Sequence, residues 1–117
     1  DTNRPDEAEP LQRRALDITE TSLGPDHPSV GIRLNNLAEL LRQTNRLHEA
    51  EPLYRRALQI FCMFTRQTGH RHPRLQRSIR NYRGLLQKLN VPPEEIRTRL
   101  IEAGVDPVWL SDGEVTS

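Results

Sequence analysis

Residues 2–18, TNRPDEAEPLQRRALDI, return as residues 44–60, TNRLHEAEPLYRRALQI, with 13 identities in 17 positions at a constant offset of 42. A looser pair, GPDHPSVGIRLNNLAELL (24–41) and GHRHPRLQRSIRNYRGLL (69–86), stands at an offset of 45, so three residues have been inserted between Phe61 and Thr68. A period of about 20 to 50 residues marks a unit that cannot bury its apolar face alone and must stack on a neighbour. The repetition therefore commits the chain to a stacked architecture.

The period within each unit is helical. Val30, Leu34, Leu37, Ala38 and Leu41 recur at the spacing of one helix face, and so do Ala50, Leu53, Tyr54, Ala57, Leu58 and Phe61. Leu, Arg, Glu and Gln outweigh the β-branched and aromatic residues of a sheet protein, with only 4% aromatic residues. Each unit reads as a helical hairpin. His27-Pro28 and His72-Pro73 place proline where a first turn tolerates it. Asn45 supplies a residue able to end a helix in the left-handed conformation, with Asn3 and Asn90 at the equivalent turns. Pro10 and Pro52 each forfeit about one backbone hydrogen bond.

Leu34-x-x-Leu37-Ala38-x-x-Leu41, followed by Asn45, Ala50, Tyr54 and Ala57, resembles the tetratricopeptide pattern of large, large-small, large, turn, small, aromatic and small residues. The period of 42 and the phrases LGPDHP, LNNLAELL and EAEPLYRRAL further resemble the long-repeat subtype of kinesin light chains and many bacterial repeat proteins. The resemblance covers Thr2 to about Asn90. It implies an all-α, right-handed α-solenoid of antiparallel helix hairpins, a superhelix of about two repeats plus a capping helix. The expected domain is 1–104, with helices near 6–22, 28–43, 47–67 and 73–89 and the cap at 93–103, followed by a tail at 105–117.

Three departures from the pattern matter. Thr2-Asn3-Arg4 matches the turn inside the next unit, and the chain starts without Met, so its first helix lacks a partner helix. That helix should expose part of Ala8, Leu11, Ala15 and Ile18, which predicts either upstream repeats in a longer protein or self-association. Arg83 stands where Ala38 stands one unit earlier, so a regular second helix cannot follow snugly; VPPEEIRTRLIEAG supplies a short capping helix with Ile96, Leu100 and Ala103 on its apolar edge. The insertion falls in FCMFTRQTG, where Phe61, Met63 and Phe64 are a surplus of apolar surface, expected to pack under the capping helix or under Val108-Trp109-Leu110, with a partner-binding patch as the alternative.

The chemistry of an enzyme is missing from the sequence. There is no Gly-rich phosphate loop, nucleophile elbow or paired metal-ligand motif, so no catalysis, cofactor or metal is expected. His70 and His72, with His27 elsewhere, read as loop and helix-start residues, since a metal site needs three or four converging ligands. One cysteine, Cys62, forms no internal disulfide and reads as a packed thiol in a reducing, cytoplasmic setting. No apolar run approaches the roughly 20 residues that span a bilayer.

Charge is distributed unevenly. Between Arg66 and Lys88 lie seven basic residues and no acid. Arg71, Arg74, Arg77, Arg80 and Arg83 drift around the helix by about 60° per step, so they cannot form a single stripe. With dispersed arginines and few aromatics, nucleic acid is not the expected partner. The resemblance implies that the helices at 28–43 and 73–89 line a concave groove that receives peptides. Groove-facing positions are then Ile32, Asn35, Asn36, Glu39 and Gln43 on the first, and Arg77, Arg80, Asn81, Gly84 and Lys88 on the second. The corresponding amides Asn36 and Asn81 carry both donor and acceptor and suit an extended main chain, while Arg77 suits a carboxylate. The expected function is protein–protein interaction with a peptide of acidic tendency. The alternative is a structural terminal segment of a longer array, or a self-association module.

Overall fold

The structure, a computed structural model, describes residues 5–110. The turn expected at Asn3 and the last part of the tail, 111–117, lie outside those residues. Six helices follow one another: α1 (Pro5–Leu23), α2 (Pro28–Gln43), α3 (Leu47–Thr68), α4 (Leu75–Lys88), α5 (Pro93–Glu102) and the single turn α6 (Pro107–Leu110). There is no strand among the described residues. Each of the first four helices packs on the next, most extensively α2 on α3 and least α4 on α5, giving an all-α solenoid of helix hairpins. No helix among the described residues is long and apolar enough to cross a membrane.

Local chemistry ends these helices where it should. Asn45 (φ 62°) and Asn90 (φ 64°) occupy the left-handed region, and Gly104 (φ 113°) joins them after α5. In each case the next residue's N–H reaches back over the last turn: Arg46 to Leu41 O at 2.8 Å, Val91 to Leu86 O at 3.0 Å, Val105 to Leu100 O at 3.1 Å. With Asn45 N–H on Arg42 O, Asn90 N–H on Gln87 O and Gly104 N–H on Ile101 O, these are three Schellman motifs that satisfy otherwise orphaned carbonyls. His27 caps α2 by accepting the Ser29 N–H on Nδ1 at 3.0 Å, and His72 accepts the Arg74 N–H at 3.1 Å. His27 is thus a capping residue, while His72 fixes the turn that precedes α4. In the second unit, however, Pro73 lies in a turn, and the α-helix begins at Leu75.

The core is the apolar stripe of α2 and α3 carried on into α4 and α5. Val30, Leu34, Leu37, Ala38, Ala50, Ala57, Leu58 and Phe61 are fully buried, as are Leu75, Ile79, Leu85 and Leu86 of α4. Burying each large side chain contributes roughly 1.5–3 kcal/mol. Ile96, Leu100 and Ala103 close the core from α5. On α1, Leu11 and Ile18 remain 68% and 56% exposed, because that helix is covered on one side only.

The three-residue insertion lengthens the helix: α3 has 22 residues where α1 has 19. Two of the apolar residues there, Phe61 and Phe64, meet His72. Phe61 lies against Gly31, with a ring so close that a Cβ there would sit 2.9 Å from Cζ. Phe61 and Phe64 flank His72, at 4.6 and 4.9 Å between centroids. Cys62 and Arg66, on another face of the same turns, meet the capping end: Cys62 abuts Gly104, and Arg66 donates to Gly104 O and stacks 5.2 Å from the Trp109 ring. Burial pushes the Cys62 thiol up to about 12, so it is an inert packed group. The segment after Gly104, expected as an irregular tail, instead continues the fold to Leu110. Val105 and Leu110 are buried, and the Trp109 N–H bonds Asp106 O to close α6.

Two glycines in helix interiors should respond oppositely to a methyl group. Gly84→Ala meets open space and should raise the unfolding free energy by about 0.5–1 kcal/mol. Gly31→Ala drives into the buried Phe61 ring and should lower it by about 1 kcal/mol. Urea unfolding measures both, and an equal gain at both sites would mean that the ring yields freely.

His72 gives a pH dependence. Burial, and then the nearby Arg74 charge, hold its pKa below the ordinary 6.5, so the unfolded chain takes up the proton first. Stability due to this residue is complete above pH 6.5 and is lost as pH falls through the lower folded value. His72→Asn, which retains an acceptor but does not titrate, should flatten the unfolding midpoint between pH 7 and 5.

Candidate functional site

α2 and α4 occupy corresponding places in successive hairpins, and their polar faces line one trough. Its larger basin, 270 Å³, is walled by Asn35, Asn36, Glu39 and Arg42 from α2 and by Arg74, Arg77 and Asn81 from the start and middle of α4. A smaller basin of 170 Å³ continues along α4 past Arg80, Gly84 and Lys88, with Tyr54 of α3 at its base. Glu39, Arg42 and Asn81 belong to both basins and join them.

That junction is a built feature. The Tyr54 hydroxyl, on an otherwise buried ring, donates to Glu39 Oε1 at 2.8 Å. Arg42 donates to the same carboxylate through Nε at 3.2 Å and through Nη2, and Gln43 adds Nε2 at 3.4 Å. The Arg42 hydrogen bond, helped by those of Tyr54 and Gln43, holds the Glu39 carboxyl below the usual range despite partial burial. Glu39 is ionised and already supplied with donors. Beyond the Arg42–Glu39 pair, four cations line the trough: Arg74, Arg77, Arg80 and Lys88. The trough is a positive concavity in which a carboxylate gains and a cation loses.

Asn35, Asn36, Glu39, Arg77 and Asn81 line the larger basin, while Arg80 and Lys88 line the smaller one. Gln43 lines neither; it supports Glu39 from outside. Ile32 is half-buried against the core. The Asn35 Oδ1 atom is buried with no hydrogen-bond partner, an arrangement that costs stability unless something else satisfies it. Sequence reasoning missed Arg42, Arg74 and Tyr54. Arg42 follows Glu39 by three residues, a spacing that signals a helical ion pair, whereas Tyr54 reads wholly as core because its ring is there.

The arginines that wrap α4 divide between two places. Arg74, Arg77 and Arg80 serve the trough, and Arg83 turns to the side of α5. No group of three or more His, Cys, Asp or Glu side chains converges among the described residues in a way that could hold a metal ion.

A family model described as a tetratricopeptide repeat matches residues 1–63, more than half of the chain, and the chain belongs to that family. The match covers α1, α2 and most of α3. Comparison with curated proteins finds no match. Repeats of this family commonly serve as protein–protein interaction scaffolds and are typically non-catalytic.

Tyr54→Phe tests the junction. Removing the hydroxyl while keeping the ring should cost about 1 kcal/mol in chemical denaturation, and should raise the Glu39 pKa, measurable from carboxyl chemical shifts across an acid titration. An unmoved Glu39 titration would contradict the bond.

Proposed function

We propose that this chain is a non-catalytic interaction module of the kinesin-light-chain-like subtype, binding an extended acidic peptide along the trough between α2 and α4. The observation that carries the reading is the charge of the trough: Arg74, Arg77 and Lys88 line it beside a Glu39 carboxylate already held by Arg42 and Tyr54. Asn36 and Asn81, from neighbouring helices, bring amides that can pair with a peptide main chain irrespective of its side chains. Arg77 stands one helical turn before Asn81, and a guanidinium group there can take a carboxylate by two parallel bonds. Two small basins make a short site, so affinity from this chain is modest. The single buried cysteine suits a cytoplasmic setting.

A second reading rests on α1. Leu11 and Ile18, two turns apart on one face of α1, are each more than half exposed, a face suited to packing against a further helical unit of a longer array or of a second copy. Sedimentation equilibrium separates this reading: mass rising with concentration, and lost in Leu11→Glu, would support self-association.

Fluorescence anisotropy with labelled extended peptides of graded acidity tests the first reading. Acidic peptides should bind, weaken as salt rises, and lose about fivefold in affinity in Arg77→Ala and in Asn81→Ala. Binding that ignores both substitutions would remove the trough as the site.

A further inference from the structure

The charge of the trough is not spread evenly along it. Arg74 and Arg77 stand in the larger basin at the start of α4, where the free N–H groups and the dipole of the helix add to their positive charge. Lys88 stands in the smaller basin, in the last turn of the same helix. Arg80, which shares that basin, already takes part in an interaction of its own. Between the two ends lies the junction, where Glu39 and Arg42 form an ion pair. A carboxylate offers about four lone-pair sites. The Tyr54 hydroxyl, Arg42 Nε and Nη2 and Gln43 Nε2 already face those of Glu39. The order along the trough is therefore cation, closed ion pair, cation.

The spacing follows from α4. Asn81, at the junction, comes four residues after Arg77 and seven before Lys88. At a rise of about 1.5 Å per residue, Arg77 and Lys88 are about 16 Å apart along the helix. An extended chain advances about 3.3 Å per residue and turns alternate side chains to the same side. Side chains i, i+2 and i+4 thus face the trough together over about 13 Å, and the flexible stem of Lys88 covers the difference. The first of them meets Arg77, the second the Glu39–Arg42 pair and the third Lys88.

We propose that the trough selects the spacing of acids as well as their number: its ligand carries carboxylates at i and i+4 and an uncharged residue at i+2. This rests on the reading of the trough as a peptide site. Glu39 sets the rule at the centre. A ligand carboxylate placed there meets a like charge, and the nearest counter-charge, Arg42, is already bound to Glu39.

Amide chemical-shift titrations of the 117-residue chain with two acetylated, amidated peptides test this. Ser-Glu-Ser-Thr-Ser-Glu-Ser holds two acids at the proposed spacing, and Ser-Glu-Ser-Glu-Ser-Glu-Ser adds a third between them. Attraction by net charge alone makes the three-acid peptide the tighter ligand. The proposed register makes it the weaker one, by about fivefold. That comparison uses the unaltered chain. Glu39→Gln, which frees Arg42 while keeping an acceptor for Tyr54, should invert the order, with amide shifts away from the trough unchanged. A three-acid peptide that binds the unaltered chain as tightly as the two-acid one, or the same order in Glu39→Gln, would overturn the register. If Arg77→Ala still weakened both peptides in that case, the trough would stand as the peptide site without it. If neither peptide moved the amides of Asn36 and Asn81, both readings would fall together.

Discussion

The close approach of α2 and α3 is the constraint on which the rest of the structure depends. Ala38, Ala50 and Ala57 are fully buried at or beside that contact, and Gly31 admits the Phe61 ring where even a methyl group would collide. Small residues let two helices pack tightly enough to bury Leu34, Leu37, Leu41, Tyr54 and Leu58. Once that hairpin is set, α3 presents its other face to α4 and brings α4 beside α2. The trough is therefore a consequence of core packing, and Tyr54 joins the two: its ring belongs to the core, its hydroxyl to Glu39.

The same logic explains where the stack changes. Arg83 stands at the place of Ala38, and α5, bounded by Pro93 and Gly104, is short and is held by other means. Arg66 reaches from α3 to Gly104 O, and Val105 and Leu110 enter the core. Ion pairs reinforce the opposite end, where Arg46 links Glu9 of α1 to Glu49 of α3 and Arg56 pairs with Glu20. Surface pairs of this kind fix register more than they add stability.

Features that depend on local chemistry were legible in the sequence. The helical spacing of Val30, Leu34, Leu37 and Leu41 comes from the chain's own periodicity, and the left-handed turns at Asn45 and Asn90 from the residue type. Features set by the rotation of one helix against another were not. Which of Phe61, Cys62 and Arg66 meets the capping end depends on how α3 is rotated against its neighbours, which composition does not carry. Arg42 and Arg74 enter the trough only because α2 and α4 lie side by side. Val105 and Leu110 sit in a segment too short to show a period, yet both join the core.

The central claim is that the positive trough between α2 and α4 holds an extended acidic peptide through main-chain amide contacts. A crystal structure of the chain with its tightest acidic peptide tests it most directly. The account predicts the peptide along the trough, with the Asn36 and Asn81 side chains hydrogen-bonded to its backbone and a carboxylate on Arg77. A peptide lying on the exposed face of α1, or one leaving both asparagines unengaged, would contradict it.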